Sequence, residues 1–182
     1  MTRHHRVGVL GGSFNPPHLG HLLAAIYAQK VFDLDEIWFL PTHRHAFRKG
    51  LAPFRDRLKM CKLLLKNLGP RFSTSTIEND IASDGKMLKT LQALQRKYRR
   101  NKFLLIVGSD ILKETRRWYR FPEIKKRFGV LVVPRGRRKK GGYSIPNISS
   151  SEIRNRFRRG QSLEGLLSAD VAAYANRKKI YL

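Results

Sequence analysis

The chain has 182 residues, enough for one domain with its own core, and 41% of them are hydrophobic. No stretch approaches the roughly 18 consecutive apolar residues of a membrane span, and the start MTRHHRVGVLGG lacks the apolar region of a secretory leader, so no membrane partner is expected. A single cysteine, Cys61, excludes an internal disulfide and suits a reduced, cytoplasmic setting, while 38 Lys and Arg against 13 Asp and Glu give a formal charge of +25 that attracts polyanions.

In chain order, Val7–Leu10 and Ile37–Leu40 read as short buried strands. In 54–66, Phe54, Leu58, Cys61 and Leu65 fall on one helical stripe. Phe72–Ile77 alternates with Ser and Thr and reads as a weaker strand. In 88–98, Leu88, Leu91, Leu94 and Tyr98 again recur at helical spacing, and two further buried strands follow at Phe103–Val107 and Val130–Val133. Strands alternating with helices imply βαβ units, so the expected fold is α/β: a Rossmann-like, doubly wound parallel sheet. The whole of 1–182 is expected to be one domain, with an α/β core over 1–134 and a small C-terminal helical part over 145–182. Between them PRGRRKKGGYS (134–144) reads as a basic, flexible loop. Ser149 followed by Glu152 is a capping-box pattern that opens a helix whose free amides can meet an anion.

In such sheets ligands sit beyond the carboxyl ends of the strands, so chemistry is sought after Leu10, Leu40, Val107 and Val133. After the first strand stands GGSFNPPHLGH (11–21). Gly11 and Gly12 allow a tight turn and close approach to a ligand. Pro16 and Pro17 stiffen the turn, and His18 and His21, three apart, share the face of a helix start, where two imidazoles can cradle phosphate oxygens. The G-x-G-x-x-G fingerprint of dinucleotide-dependent hydride enzymes is absent. Asp110, by its position alone, serves equally as a helix cap beside Ser109. His43 and His45 lack the carboxylate or thiolate company of a metal site, so no resident metal is expected, and His4 and His5 read as part of a disordered start.

GGSFNPPHLGH resembles the G-[ST]-F-[DN]-P-x-H-x-G-H signature of nicotinate mononucleotide adenylyltransferases, members of the HxGH nucleotidyltransferase superfamily. GSD with Trp118 eight positions after Asp110, and ISSSEIR (148–154), resemble two further segments of that family in the same order. The ending, with Leu166–Leu167, Val171, Tyr174 and Tyr181–Leu182, is similar too. The resemblance implies transfer of AMP from ATP to nicotinate mononucleotide, giving nicotinate adenine dinucleotide and pyrophosphate. By the resemblance, Gly11, Gly12, Ser13, Phe14, His18, His21, Gly108, Asp110, Ser149, Ser150 and Arg154 bind ATP. His18, His21, Arg154 and Lys49 carry catalysis. Asn15, Lys49, Lys86, Thr90, Asp110 and Trp118 bind the acceptor, Trp118 as a stacking platform for the pyridine ring. A phosphate nucleophile is already ionised at neutral pH, so no general base is required, and Mg²⁺ is expected to arrive with ATP.

Two departures from the family bear on the acceptor. The family's Pro-Pro-His-Lys is here Ala46-Phe47-Arg48-Lys49, and its Tyr-Thr is here Lys86-Met87, ahead of a matching Thr90–Leu91. A charge-assisted hydrogen bond from Lys86 to the pyridine carboxylate would favour the acid over the amide. Nicotinamide mononucleotide and 4′-phosphopantetheine are the alternative acceptors. From Arg96 to Lys140 stand 17 Lys or Arg against three acids, Asp110, Glu114 and Glu123. A nucleic-acid-binding protein is the rival of a different class, but no helix-turn-helix, zinc pattern or aromatic-interleaved RNA motif accompanies that region, and nucleic acid is not expected as the main partner.

Overall fold

In the computed structural model, which describes residues 4–43, 50–112, 114–136 and 144–182, the apolar runs become a five-stranded parallel sheet. The strands are β1 (His5–Gly12), β2 (Glu36–Pro41), β3 (Phe72–Thr74), β4 (Asn101–Gly108) and β5 (Val130–Val133). Their order is β3-β2-β1-β4-β5, with Leu10 opposite Phe39 on one side and Ile106 on the other. The helices are α1 (Leu19–Val31), α2 (Phe54–Leu65), α3 (Ile77–Asp80), α4 (Met87–Lys97), α5 (Phe121–Arg127), α6 (Ser150–Arg158) and α7 (Ala169–Arg177), with a 3₁₀ turn at Glu114–Arg117.

Each inner strand is buried on both faces, so its side chains divide by alternation between two cores. Leu10, Ile37, Phe39, Leu104 and Ile106 face one side, where they meet residues of α1, α2, α6 and α7. Val7, Val9, Leu40, Phe103, Leu105 and Val107 face the other, against α3, α4 and α5. The C-terminal helices thus share the first core: Ile153, Phe157, Val171 and Tyr174 are buried with Ala25, Met60 and Cys61. Gly8 lies where a Cβ would press within 2.8 Å of Ile106, Leu34 and Ile37, so the lack of a side chain lets these three meet.

The structure moves several expected boundaries. The strand expected over Phe72–Ile77 stops at Thr74: the Ser75 hydroxyl accepts from the Ile77 amide, Thr76 becomes a helix cap, and Ile77 opens the one-turn α3. Serine and threonine side chains here compete with the ladder. The buried face of α2 is also turned from the expected stripe. It contains Arg57, Met60, Cys61, Leu64 and Leu65, while Phe54 and Leu58 are only half-buried. Tyr98 caps α4 and is exposed. His5 is no disordered start: it opens β1, with its Nε2 2.7 Å from Glu36 Oε1. His45, Arg48 and Lys49 lie outside the described residues, as does most of the basic loop, 137–143.

Candidate active site

The chain leaves β1 toward β2 and β3 on one side, and β4 and β5 lie on the other. The carboxyl ends of β1 and β4 therefore flank the switch point where open α/β sheets bind ligands. Four segments converge there: 11–18 after β1, 108–110 after β4, Arg135 just after β5, and the start of α6.

Gly11 is close to the start of α4, since a Cβ on it would run into the Met87 methyl. Phe14 takes a left-handed backbone (φ 45°), unusual for a residue with a Cβ. Its ring, 1% exposed, is fixed between Phe39 (centroids 5.2 Å, stacked) and His21 (4.8 Å, edge-on). The Asn15–Pro16 bond is cis. His18 is the N-cap of α1 and His21 its third residue, and the two rings stack at 3.7 Å. His21 Nδ1 accepts the His18 backbone N–H at 3.2 Å, which leaves the ring proton on Nε2 as a donor. His18 is 2% exposed, and its Nδ1 is buried without a hydrogen-bond partner. Burial, then the nearby Arg135 charge, pull the His18 pKa from 6.5 to about 3. Burial, His18 and Arg135 hold His21 well below 6.5 as well. Both rings are neutral at neutral pH.

Arg135 was not singled out by the sequence, where it merged with the basic loop. Its Nη1 lies 3.2 Å from Asp110 Oδ2, its Nη2 donates to Ile148 O at 2.9 Å, and its backbone N–H donates to Ser109 Oγ at 2.9 Å. It thereby joins the ends of β4 and β5 to the approach of α6. Gly108 must lack a Cβ here, because one would collide with Asp110 Oδ1 and Arg135 Cδ. The one clue to Arg135 in the sequence is position, two residues beyond the carboxyl end of β5, an edge strand of which only Val133 is buried.

The start of α6 docks on the first segment. Ser149 Oγ accepts the Glu152 amide at 3.1 Å, as the capping pattern requires. Ser150 Oγ donates to Pro16 O at 2.8 Å, and Arg154 donates to Asn15 O at 2.7 Å through Nη1 and to Ser151 Oγ at 3.2 Å through Nη2. The amide of Asn15 is engaged by the fold. It donates to Gly50 O at 3.3 Å and accepts from Ala52 N at 3.0 Å and the Tyr181 hydroxyl at 2.9 Å. Arg57, 1% exposed, was also missed in sequence. It donates to Ser13 O and Ala52 O, each at 2.8 Å, and so ties the first segment to the chain before α2.

The remaining expected residues lie along α4 and the 3₁₀ turn. Lys86 caps α4, with Nζ 2.9 Å from Asp84 Oδ2 and 5.3 Å from the centre of the Tyr119 ring. Hydrogen bonds from Lys86 and Lys89 hold Asp84 down at about 2. Trp118 is half-buried and edge-on to Phe121 at 5.9 Å. Thr90 is 0% exposed, and its hydroxyl donates to the buried Glu78 carboxylate, so its influence on a ligand must pass through neighbours.

The donor set therefore consists of imidazole N–H, guanidinium and free helix-start amides, and the carboxylates of Asp110 and Glu152 are paired with Arg135 and Arg156. That chemistry binds oxyanions. No group of three or more His, Cys, Asp or Glu among the described residues could hold a metal ion.

A cytidylyltransferase-like family profile matches residues 9–156. A protein of Anaeromyxobacter sp. (strain K), named "Probable nicotinate-nucleotide adenylyltransferase", is 42% identical over 100% of this chain and 99% of its own length. A protein of the same name from Myxococcus xanthus is 36% identical, over 97% of this chain and 94% of its own. Among solved structures, a Plasmodium falciparum nicotinic acid mononucleotide adenylyltransferase complexed with NaAD superposes with a TM-score of 0.81 at 18% identity, covering 98% of each chain. A putative nicotinate-nucleotide adenylyltransferase from Vibrio parahaemolyticus gives 0.77 at 20%, covering 97% of this chain and 94% of that one. The structural matches fix the fold and the sequence matches fix the family: the chain belongs to the cytidylyltransferase-like family and, within it, to the nicotinate-nucleotide adenylyltransferases.

Proposed function

We propose that the chain transfers AMP from ATP to nicotinate mononucleotide, forming nicotinate adenine dinucleotide and pyrophosphate. The observation that carries this reading is the convergence at the switch point of a neutral histidine pair, Arg135, Arg154 and the starts of α1 and α6.

An oxygen of the acceptor's 5′-phosphate attacks the α-phosphorus of ATP, and the bond from that phosphorus to the β-phosphate oxygen breaks as pyrophosphate leaves. The nucleophile is already an anion, so the work of the site is to hold two anions together and to meet charge developing on the leaving group. The backbone from Gly11 to Phe14 lies along the nucleotide, with Gly108 and Asp110 on its other side. His18 and His21 donate to its phosphates from one side, while Ser149, Ser150 and Arg154 meet them from the other. Arg135 joins this set by its place beside the histidines. Lys49, in the chain after β2, neutralises phosphate. Trp118 stacks on the pyridine ring, and Asn15 and Thr90 support the acceptor indirectly, through the Gly50–Ala52 segment and through Glu78. Magnesium travels with the triphosphate, its remaining ligands being water, because a donor set of imidazole, guanidinium and amide suits anions and not Mg²⁺.

The Lys86 ammonium stands above Tyr119, next to Trp118, where it favours an acceptor carrying a carboxylate on the pyridine. The experiment is pyrophosphate release with ATP and each of nicotinate mononucleotide, nicotinamide mononucleotide and 4′-phosphopantetheine. The acid is expected to give the highest kcat/KM. Equal use of acid and amide would refute the acid assignment, and turnover of phosphopantetheine alone would refute the acceptor class.

A further inference from the structure

A concave surface of about 440 Å³ lies between α4 and α5, lined by Gln92, Gln95, Arg96, Arg99 and Arg127. It lies by the amino ends of β4 and β5, whereas the site described above lies at the carboxyl ends of the strands. The last turns of α4 lead into the start of β4 at Asn101, and Arg127 ends α5 just before β5 begins at Val130. Arg96, in the last turn of α4, and Arg99, just past its end, both line it. Among the described residues neither has a carboxylate partner, and Arg127 shares Glu123 with Arg120. Gln95 holds the wall by donating to Asn101 O at 3.1 Å.

Part of this charge complements helix dipoles, since Arg96 and Arg127 stand in last turns. That account does not reach Arg99, Arg100 or Lys102, which lie past the end of α4. Nor does it explain why three guanidinium groups share one concavity against their mutual repulsion. A phosphate-bearing ligand explains both. No aromatic ring lines the groove to stack on a base, because Tyr98 turns to Trp38 (4.9 Å) and Phe103 (6.4 Å). Exposed Arg100, Lys102, Lys125 and Lys126 continue the positive surface in the chain segments next to the lining residues, which suits a chain of phosphates better than one nucleotide.

We infer that this groove binds the phosphodiester backbone of nucleic acid without reading its sequence. The test is fluorescence anisotropy of the whole protein with a random-sequence DNA duplex and with a single-stranded RNA, titrated from about 50 to about 200 mM salt. Each phosphate contact contributes about 0.9 to the slope of log K against log salt on duplex DNA and about 0.7 on a single strand. The triple variant Arg96→Gln, Arg99→Gln, Arg127→Gln should therefore lower the slope by about 2 to 3. The comparison variant Arg55→Gln, Lys59→Gln, Lys62→Gln removes three exposed cations from α2 and should change it by less than about 1. Whichever of the duplex and the RNA binds more tightly identifies the kind of strand. Equal slope losses in the two variants would assign binding to the diffuse field of the whole chain and overturn the proposal, as would a wild type that binds neither probe. Pyrophosphate release on the same samples should stay at wild type in the groove variant, which certifies folding and keeps this test separate from the transfer reaction.

Discussion

Replacing Arg57 tests whether a buried cation on α2 positions the segment after β1 that is proposed to hold ATP. Its Nε donates to Ala52 O and its Nη1 to Ser13 O, both at 2.8 Å, and the guanidinium lies 5.6 Å from the centre of the Phe54 ring. Burial lowers its pKa, yet arginine remains protonated at neutral pH, so both bonds are charge-assisted. Lysine keeps the charge but has one nitrogen at the end of a flexible stem and cannot span two carbonyls on different segments. One buried acceptor is then left unpaired, at about 1–3 kcal/mol. Methionine abandons both bonds but also removes a buried charge, whose own desolvation is costly, so its net effect is about 2–4 kcal/mol and not the full sum. Urea unfolding with the m-value checked gives these differences. The functional readout is KM for ATP against kcat, since only the Ser13 end touches the segment. In Arg57→Lys, KM should rise about 10-fold, equivalent to about 1.4 kcal/mol, with a smaller change in kcat. A lysine variant as stable as wild type, or a destabilised one with unchanged KM for ATP, would refute the positioning role.

Arg154→Lys retains charge while losing the fork that reaches Asn15 O and Ser151 Oγ, so kcat/KM should fall about 10-fold or more, and a fully active variant would remove Arg154 from phosphate binding. His18 makes stability depend on pH in a stated direction. Its pKa is about 3 folded and 6.5 when free, so below 6.5 the unfolded chain takes up a proton that the folded chain refuses. Stability is then lost as pH falls, by up to about 1.4 kcal/mol per pH unit, and it is fully present above 6.5. Urea midpoints at about pH 7 and about pH 5 should diverge less in His18→Asn than in wild type, and equal divergence would show that His18 is not held neutral. Lys86→Met should narrow the acid-to-amide ratio of kcat/KM by about 1.4- to 5-fold, because a side chain shared with Asp84 and open to solvent contributes only roughly 0.2–1 kcal/mol. An unchanged ratio would turn attention to the backbone near Trp118.

What the sequence disclosed follows from the kind of burial each element has. The inner strands β1, β2 and β4 are buried on both faces and read as unbroken apolar runs, so they were legible. Which face each residue takes was not, because a continuous run carries no alternation. Helix α4 showed its stripe because Leu88, Leu91 and Leu94 are all buried. Helix α2 misled because one of its buried positions is an arginine, a residue that hydrophobic patterning places outside. Helix α5 buries only Ile124 among its charges and leaves no periodic trace. The His, Ser and Arg of the candidate site stand in motifs and were visible there. Arg135 and Glu78 were not, since their meaning depends on partners distant in sequence: Ile148 and the histidines for one, Thr90 for the other.

The same distinction bears on where the positive potential of the site originates. Two histidines at the start of a helix would, if protonated, close on phosphate as a pair of imidazolium ions. Burial of His18, its ring stacked on His21 at 3.7 Å, and the adjacent guanidinium of Arg135 make that form the least stable one. Protonating both rings would place two more charges beside an arginine in a confined space. The fixed charge comes instead from Arg135 and Arg154, which cannot deprotonate, and from the starts of α1 and α6. The histidines add directed N–H donors whose orientation is set by the backbone, as the bond from the His18 amide to His21 Nδ1 illustrates. Under the proposed function, division of labour of this kind keeps phosphate binding constant across neutral pH. It also explains why the two histidines do not titrate near the ordinary value: burial of the rings, with the Arg135 guanidinium beside them, is what keeps both imidazoles uncharged.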